Sequence, residues 1–420
     1  MIIPSIDIQN GQAVQLINGK KLAIEGGDPF KWAEKFSVAS EIAVIDLDAA
    51  MGISNNEELI ISLCKKYRCR VGGGIRSTEK AIKLLDSGAN KIIIGTNANP
   101  DFLTQFPKER LIAAVDSMNG KVMSHGWIKS EGIELHQKIS EINQYVSEFL
   151  VTFIENEGCM TGIDIDRAIK VKEIADSSKL VIAGGVKSID EVIKLDELNI
   201  DAQVGMALYS NEFNYPEVIA RCMIKEQLMP TIIVDELGIA LGLVWSNYES
   251  IRESINSNSG VYYSRSRGKI WKKGNTSGAT QELIRIDRDC DKDTLRFTVK
   301  QNGLGFCHKN TYSCFDDHMG FGQLLKSFPT KINNSSSYTS KLLADTNLLV
   351  AKLKEELLEV LNASTKAENT EEFADLFYFI QVLMHQRQIN FHDIQKTLNL
   401  RAKKITRQRG EIKNEFIKNF

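Results

Sequence analysis

At 420 residues the chain exceeds one ordinary domain, and roughly two to four units with separate cores fit its length. Hydrophobic residues at 43%, charged residues at 25% and seven prolines exclude a disordered or fibrous chain. A formal net charge of -2 and a pI near 6.4 give no electrostatic reason for a nucleic-acid or anionic-membrane partner.

The start, Met1-Ile2-Ile3-Pro4-Ser5-Ile6-Asp7, lacks the basic residues and long apolar core of a secretory signal and reads as a first strand. No window approaches the roughly 18 to 20 uninterrupted apolar residues of a membrane-spanning helix, so a cytoplasmic protein with no membrane partner is expected. Of seven cysteines, Cys290, Cys307 and Cys314 crowd one segment while Cys64, Cys69, Cys159 and Cys222 are scattered. Clustered thiols in a long intracellular chain favour metal over disulfides.

Residues 1–226 alternate short apolar runs with amphipathic stretches, which predicts parallel strands with helical crossovers. The segment repeats itself at an interval of about 110 residues. Ser5-Ile6-Asp7 corresponds to Ala114-Val115-Asp116, Gly72-Gly73-Gly74-Ile75-Arg76-Ser77 to Ala183-Gly184-Gly185-Val186-Lys187-Ser188, and Ile94-Gly95-Thr96 to Val204-Gly205-Met206. Four strands per half make a (β/α)₈ TIM barrel whose site lies at the carboxyl ends of the strands. Glycine after a strand lets backbone N–H groups approach an anion, so Gly73, Gly74, Gly95 and Thr96 form one phosphate cradle. Gly184, Gly185, Gly205 and Met206 form the other. Asp7 and Asp116 end the first and fifth strands and face each other as a general acid and base. The plain alternative is that the glycines make tight turns and the aspartates cap helices.

These residues, with His125-Gly126-Trp127, resemble the phosphoribosylformimino-AICAR-phosphate isomerase family of histidine biosynthesis. The resemblance implies an Amadori rearrangement of a bisphosphorylated aminoaldose to the ketose PRFAR, with Asp7 and Asp116 as catalytic residues. Gln15 stands where many bacterial members have arginine, and Asn156-Glu157-Gly158 where they have Asp-Gly; Glu157-Gly158-Cys159 looks closer to the fungal form.

Composition changes near 221–230, and a β-rich α+β metal-binding domain is expected over 229–318. Acids at every second position would place Asp289, Asp291 and Asp293 on one face of an extended strand, with Cys290 on the other. Three adjacent carboxylates suit Mg²⁺, the alternative being a solvated acidic turn. Cys290, Cys307 and Cys314 make a Cys₃ set whose open fourth position suits catalytic Zn²⁺, with Cys290 drawn from another strand edge or another subunit. His308 is a candidate proton-transfer group or simply a surface histidine. Upstream, Arg265, Arg267, Trp271, Lys273, Thr276 and Ser277 combine phosphate-binding and purine-stacking side chains, unless the run is a charged hairpin. The whole stretch resembles phosphoribosyl-AMP cyclohydrolase, which opens the purine ring between N1 and C6. The resemblance implies Zn²⁺ on the three cysteines, Mg²⁺ on the three aspartates, and a zinc site shared across a homodimer. Asn275 replaces the glutamate usual in that family's Gly-Glu-Thr-Ser-Gly.

From about residue 320 the pattern turns helical, with a Ser/Asn-rich linker at 333–337, and an all-α domain is expected over 319–420. Leu349, Leu353, Leu357 and Val360 form an apolar arc edged by Glu356 and Glu359. In the next helix Glu372 and Asp375 fall on an apolar surface, where a second Mg²⁺ would offset their burial. With Tyr338 ahead of them, expected to contact substrate, these acids resemble phosphoribosyl-ATP pyrophosphohydrolase. The order of segments looks most like the fungal multifunctional histidine-biosynthesis protein, whose histidinol dehydrogenase domain is expected to be absent here. The reading is therefore a trifunctional enzyme acting on small phosphoribosyl nucleotides, a homodimer through its cyclohydrolase and helical domains. Its alternatives are a bifunctional hydrolase with a non-catalytic or regulatory barrel, and acidic helices that serve assembly alone.

Overall fold

The computed structural model describes residues 1–39, 41–124, 127, 129–315, 328 and 337–406. Eight strands, Ile2–Gln9, Ile42–Asp46, Cys69–Gly72, Lys91–Ile94, Leu111–Met118, Glu148–Phe153, Lys179–Ala183 and Ile200–Val204, pair in parallel, each with the next. The eighth pairs with the first and closes the barrel. These strands read as apolar runs because both faces are covered: Glu148–Phe153 is buried at every position. Inside the barrel Ile3, Ala43, Ile93, Ile112, Leu150 and Val181 fill one layer. Arg70, paired with Glu41 and Glu148, closes the floor beneath them.

The twofold repeat extends beyond the motifs that revealed it. Ser77 caps the helix Thr78–Asp86 and Ser188 caps Ile189–Glu197, each accepting from the backbone three residues on. The first and fifth strands both overrun the barrel into antiparallel extensions, Gln12–Ile17 with Lys21–Gly27 and Lys121–Ser124 with Lys129–Glu134. Asp7 and Asp116 therefore sit two residues inside their strands, rather than at the ends as the sequence suggested.

A six-stranded sheet follows, in the order Lys269–Lys272, Val261–Ser264, Ala240–Ser246, Met229–Val234, Leu295–Gln301, Gln281–Arg288. One helix, Tyr248–Asn256, lies against the barrel helix Tyr215–Met223. The buried core runs from the barrel's outer layer into this sheet without a break, taking in Ile233, Tyr262 and Phe297. Ile286 N donates to Val38 O at 2.7 Å and Arg288 Nη1 to Cys222 O at 2.6 Å. Helices Tyr338–Ala344, Thr346–Asn362, Lys366–Gln386 and Phe391–Ala402 complete the chain, the middle two packed around Leu349, Phe379 and Val382. Their far end returns to the barrel, where Arg110 Nη1 donates to Lys403 O at 2.6 Å and Ile405 N to Asp86 Oδ1 at 2.7 Å.

Val38 and Arg110 lie just before barrel strands, while Asp86 and Cys222 end barrel helices. Both later segments thus attach to the amino-terminal face, away from the mouth. Most of the linker at 333–337, the boundary expected at 318–319 and the tail from 407 lie outside the described residues.

Candidate active sites

At the barrel mouth, small side chains such as Ala114 and Ala183 sit above the filled layer and leave a cavity of about 260 Å³. Asp7 and Asp116 both line it. Burial pushes the Asp7 carboxyl up to about 6, against a 2.8 Å hydrogen bond from Ser5 Oγ. Burial also raises Asp116, opposed by donors on Thr152 and Trp127, whose Nε1 lies 2.8 Å from Oδ2. The neighbours His125 and Gly126, singled out with Trp127 in the sequence, lie outside the described residues.

The cradles take the two ends of the mouth. Gly73, Gly74, Gly95 and Thr96 line the main cavity. Gly184, Gly185, Gly205 and Met206 line a second space of about 30 Å³ that shares Glu157, Gln203 and Gly205 with the first. Gly73 has φ +99°, and a Cβ there would lie 2.2 Å from Asp46 O. Its repeat partner Gly184 has φ +91°, with Phe153 O 2.7 Å from the same point. Asp46 and Phe153 end the second and sixth strands, so the same backbone crossing excludes a side chain in each half.

Three cavity residues escaped the motif reading as functional candidates. Glu157 Oε2, Gln15 Nε2 and Gln203 Oε1 are buried and make no hydrogen bond within the protein. Burial, then the charges of Asp7 and Asp116, push Glu157 up to about 8. Unmatched polar atoms cost too much to leave in a dry core, so they mark where polar ligand groups or water belong. Gln15 and Glu157 were visible in the sequence as departures from bacterial relatives; Gln203 gave no signal.

In the β-rich unit, the acidic run is a turn rather than an extended strand. The strand stops at Arg288, and Lys292 adopts φ +70°. Asp289 Oδ1 accepts from Asp293 N at 3.0 Å and Thr294 N at 3.1 Å. A curled backbone, not pleat alternation, brings the ligand oxygens of Asp289, Asp291 and Asp293 within 4.8 Å of one another, all exposed. That donor set fits a hard divalent cation.

Cys307 and Cys314 come close to each other beside Ala240–Ser246, with Cys314 N on Leu241 O at 2.8 Å. The neighbouring Thr311 side chain and the Lys309 amide, 3.5 Å from its sulfur, hold Cys307 below its ordinary value, while burial and Cys307 push Cys314 up to about 11. The pair thus ionises one thiol first. Cys290 does not join them within one chain. Its turn follows Gln281–Arg288, three strand steps away in the sheet, or roughly 14 Å at 4.8 Å per step. The donor chemistry of the thiol pair fits zinc, with two positions left to fill. Lys273 is buried close to both thiols, its ammonium 5.4 Å from the Phe306 ring centroid. Arg265 and Arg267 stand exposed over the rings of Trp245 and Trp271, at 4.4 and 5.8 Å. Thr276 and Ser277 lie in an exposed loop, and His308 Nδ1 is 3.9 Å from Cys307 Sγ.

In the helical unit the ligand atoms of Glu356, Glu359 and Glu372 lie within 4.8 Å of one another, and Glu356 is buried. Lys352 Nζ holds Glu356 at 3.0 Å and Glu355 at 2.9 Å. Asp375 corrects the sequence reading: it is exposed and outside this group, although three residues after Glu372 it shares that helix face. Phe379, one turn further along, is buried, but Leu357, Phe373 and Phe377 are exposed, and among the described residues nothing covers the Asp375 carboxylate. Tyr338 is half exposed at the start of its helix.

Residues 1–214, just over half of the chain, match the sequence profile of the histidine biosynthesis protein family. The chain belongs to that family. Two further profiles follow in order: phosphoribosyl-AMP cyclohydrolase over 242–316 and phosphoribosyl-ATP pyrophosphohydrolase over 321–402. An imidazole-4-carboxamide isomerase of Thermococcus onnurineus is 33% identical over 228 residues, covering 97% of that protein and 52% of this chain. A histidine biosynthesis bifunctional protein of Schizosaccharomyces pombe is 46% identical over 191 residues, 45% of this chain and 46% of that protein. A histidine biosynthesis trifunctional protein of Saccharomyces cerevisiae is 32% identical over 334 residues, 78% of this chain and 39% of that protein. This member of the family therefore spans less than half the length of the fungal relatives it matches.

Proposed function

We propose that the chain performs three consecutive steps of histidine biosynthesis. The helical unit releases pyrophosphate from phosphoribosyl-ATP, the β-rich unit opens the adenine ring of phosphoribosyl-AMP hydrolytically, and the barrel isomerises the resulting aminoaldose. Chain order is then the reverse of reaction order. The barrel mouth carries the reading furthest: two buried carboxylates stand between two glycine cradles, with orphaned amide and carboxyl groups in reach of a polar ligand. That layout suits a long substrate with a phosphate at each end. Of the two aspartates, one gives a proton as the sugar ring opens and the other removes one from the adjacent carbon. Gln15, Gln203 and Glu157 hydrogen-bond the substrate between them.

In the β-rich unit Cys307 and Cys314 would hold Zn²⁺ with Cys290 of a second copy, and Asp289, Asp291 and Asp293 would hold Mg²⁺. Zinc bound there brings a water's pKa close to neutrality. Arg265, Arg267, Lys273, Thr276 and Ser277 hold the phosphoribosyl group, Trp271 stacks on the base, and His308 passes the proton. In the helical unit Glu356, Glu359 and Glu372 would hold Mg²⁺ on the triphosphate, with Tyr338 against the nucleotide. A homodimer joined through these two units, in the cytoplasm, completes the reading. Its support is the divided thiol set and the open apolar faces carrying Leu243 and Phe315 in one unit and Leu357 and Phe373 in the other.

Purified protein given phosphoribosyl-ATP with Zn²⁺ and Mg²⁺ tests all three steps in one chromatogram. The isomerised ketose should accumulate, and Asp7→Asn should stop the sequence at the aminoaldose. Equal ketose formation by that variant would refute the assignment of the barrel.

A further inference from the structure

The acidic turn contains its own cation. Lys292 lies between Asp291 and Asp293, close enough in sequence to fold back on them and occupy the place of a divalent ion. It does not do so. Its ammonium crosses to the barrel, 2.8 Å from Asp196 O and 3.4 Å from Asp196 Oδ1. Asp196 belongs to the barrel helix Ile189–Glu197 and is buried. Arg288, the last residue of the strand entering the turn, grips the same carboxylate at 2.8 and 2.9 Å, and the Met1 nitrogen lies 2.7 Å from Oδ1. Burial opposes the charge on Asp196, but the hydrogen bonds from Arg288 prevail and hold it below the usual carboxylate range.

We propose that Asp196 is a positioning residue for the metal site of the neighbouring unit: by retaining Lys292 it keeps the Asp289, Asp291 and Asp293 oxygens free for a divalent cation. The inference rests on the metal reading of that turn. Asp196 is the anion shared by three cations, Arg288, Lys292 and the Met1 ammonium. With its charge removed, Arg288 and Lys292 repel each other across a buried junction, while three unpaired carboxylates wait within reach of the lysine. The ammonium then competes with the metal. The barrel in this way governs the cation affinity of a site it does not contain.

The test uses the full chain and Mn²⁺ as the probe, followed by electron paramagnetic resonance. The Asp291→Asn variant identifies the signal that belongs to the turn. Asp196→Asn should weaken that binding about tenfold, in the range typical of groups that orient metal ligands. Lys292→Gln alone should stay within about twofold of the unaltered chain, and the double variant should regain the lost affinity. A merely structural role for Asp196 would leave the double variant as weak as the single one. Should Asp196→Asn fail to fold, Lys292→Gln still decides, because a tenfold loss there would overturn the proposal. A Mn²⁺ signal indifferent to Asp291→Asn would overturn the metal reading and the inference together. A signal sensitive to Asp291→Asn and indifferent to Asp196→Asn would overturn the inference alone.

Discussion

Asp7, Asp116 and Glu157 share one cavity, where burial and the charges of the two aspartates favour the protonated form of Glu157. A carboxyl whose folded value is raised takes up a proton on folding, so folding is favoured at low pH. That advantage is lost as pH rises from the unfolded value of about 4.3 towards the folded value, which for Glu157 is about 8. The ligand-free protein should therefore melt at progressively lower temperature between pH 5 and pH 8. Glu157→Gln should flatten that slope and raise the midpoint at pH 8 by a few degrees, since about 1 kcal/mol moves a barrel of this size by roughly 2–4 °C. A variant as pH-sensitive as the parent would show that the proton resides elsewhere. Catalytically, Asp7→Asn and Asp116→Asn should each lower isomerisation about 10²–10⁴-fold while pyrophosphate release is unchanged, measured in separate assays. Asp7 and Asp116 were legible in the sequence because the half-repeat presents them twice. Glu157 showed only as a departure from bacterial relatives, because its importance lies in being buried near both aspartates, which spacing does not encode.

At the level of elements, the acidic turn and the thiol loop each depend on backbone held by neighbours. Tyr312 donates to the buried Asp235 at 2.6 Å, and Ser313 Oγ to Ala240 O at 2.8 Å, which pins the loop between Cys307 and Cys314. Two of the three thiols are thus fixed within a chain, and the third stands on a distant hairpin. Cys290→Ser and Cys314→Ser variants should each be inactive as cyclohydrolases, yet mixed subunits should recover part of the activity, because one of the two shared sites is then intact. No recovery in dimers verified as mixed would count against a shared site. Chelation should abolish ring opening and pyrophosphate release, and Glu356→Gln should abolish the second alone. Period and spacing foretold that Asp289, Asp291 and Asp293 gather, and Glu356, Glu359 and Glu372 likewise, but not by what geometry, nor that Asp375 stays outside. Alternating acids read as a strand, whereas the left-handed Lys292 and the Asp289 hydrogen bonds make them a turn. Asp375 was expected to be buried because it shares a face with Phe379 and Leu383; Phe379 is buried, but Asp375 one turn earlier is exposed.

Across the whole molecule, alternation and repetition were enough to foresee a barrel, a sheet and a helical bundle in that order. How they attach was not foreseeable, because neither the core that continues from barrel to sheet nor contacts such as Arg288 to Asp196 and Ile405 to Asp86 follow a sequence motif. The β-rich and helical units both attach at the floor of the barrel, and its mouth opens the opposite way. Among the described residues of one chain no vestibule joins the thiol pair to the barrel mouth, so on the proposed reaction sequence the aminoaldose is expected to exchange with bulk solvent between them. Isotopically labelled phosphoribosyl-ATP, supplied together with excess unlabelled aminoaldose, should yield ketose diluted to the level of the free pool, with a lag before it appears. The benefit of fusion would then be stoichiometric: every translation event supplies the three catalysts in equal number, whatever the fate of the molecules passing among them.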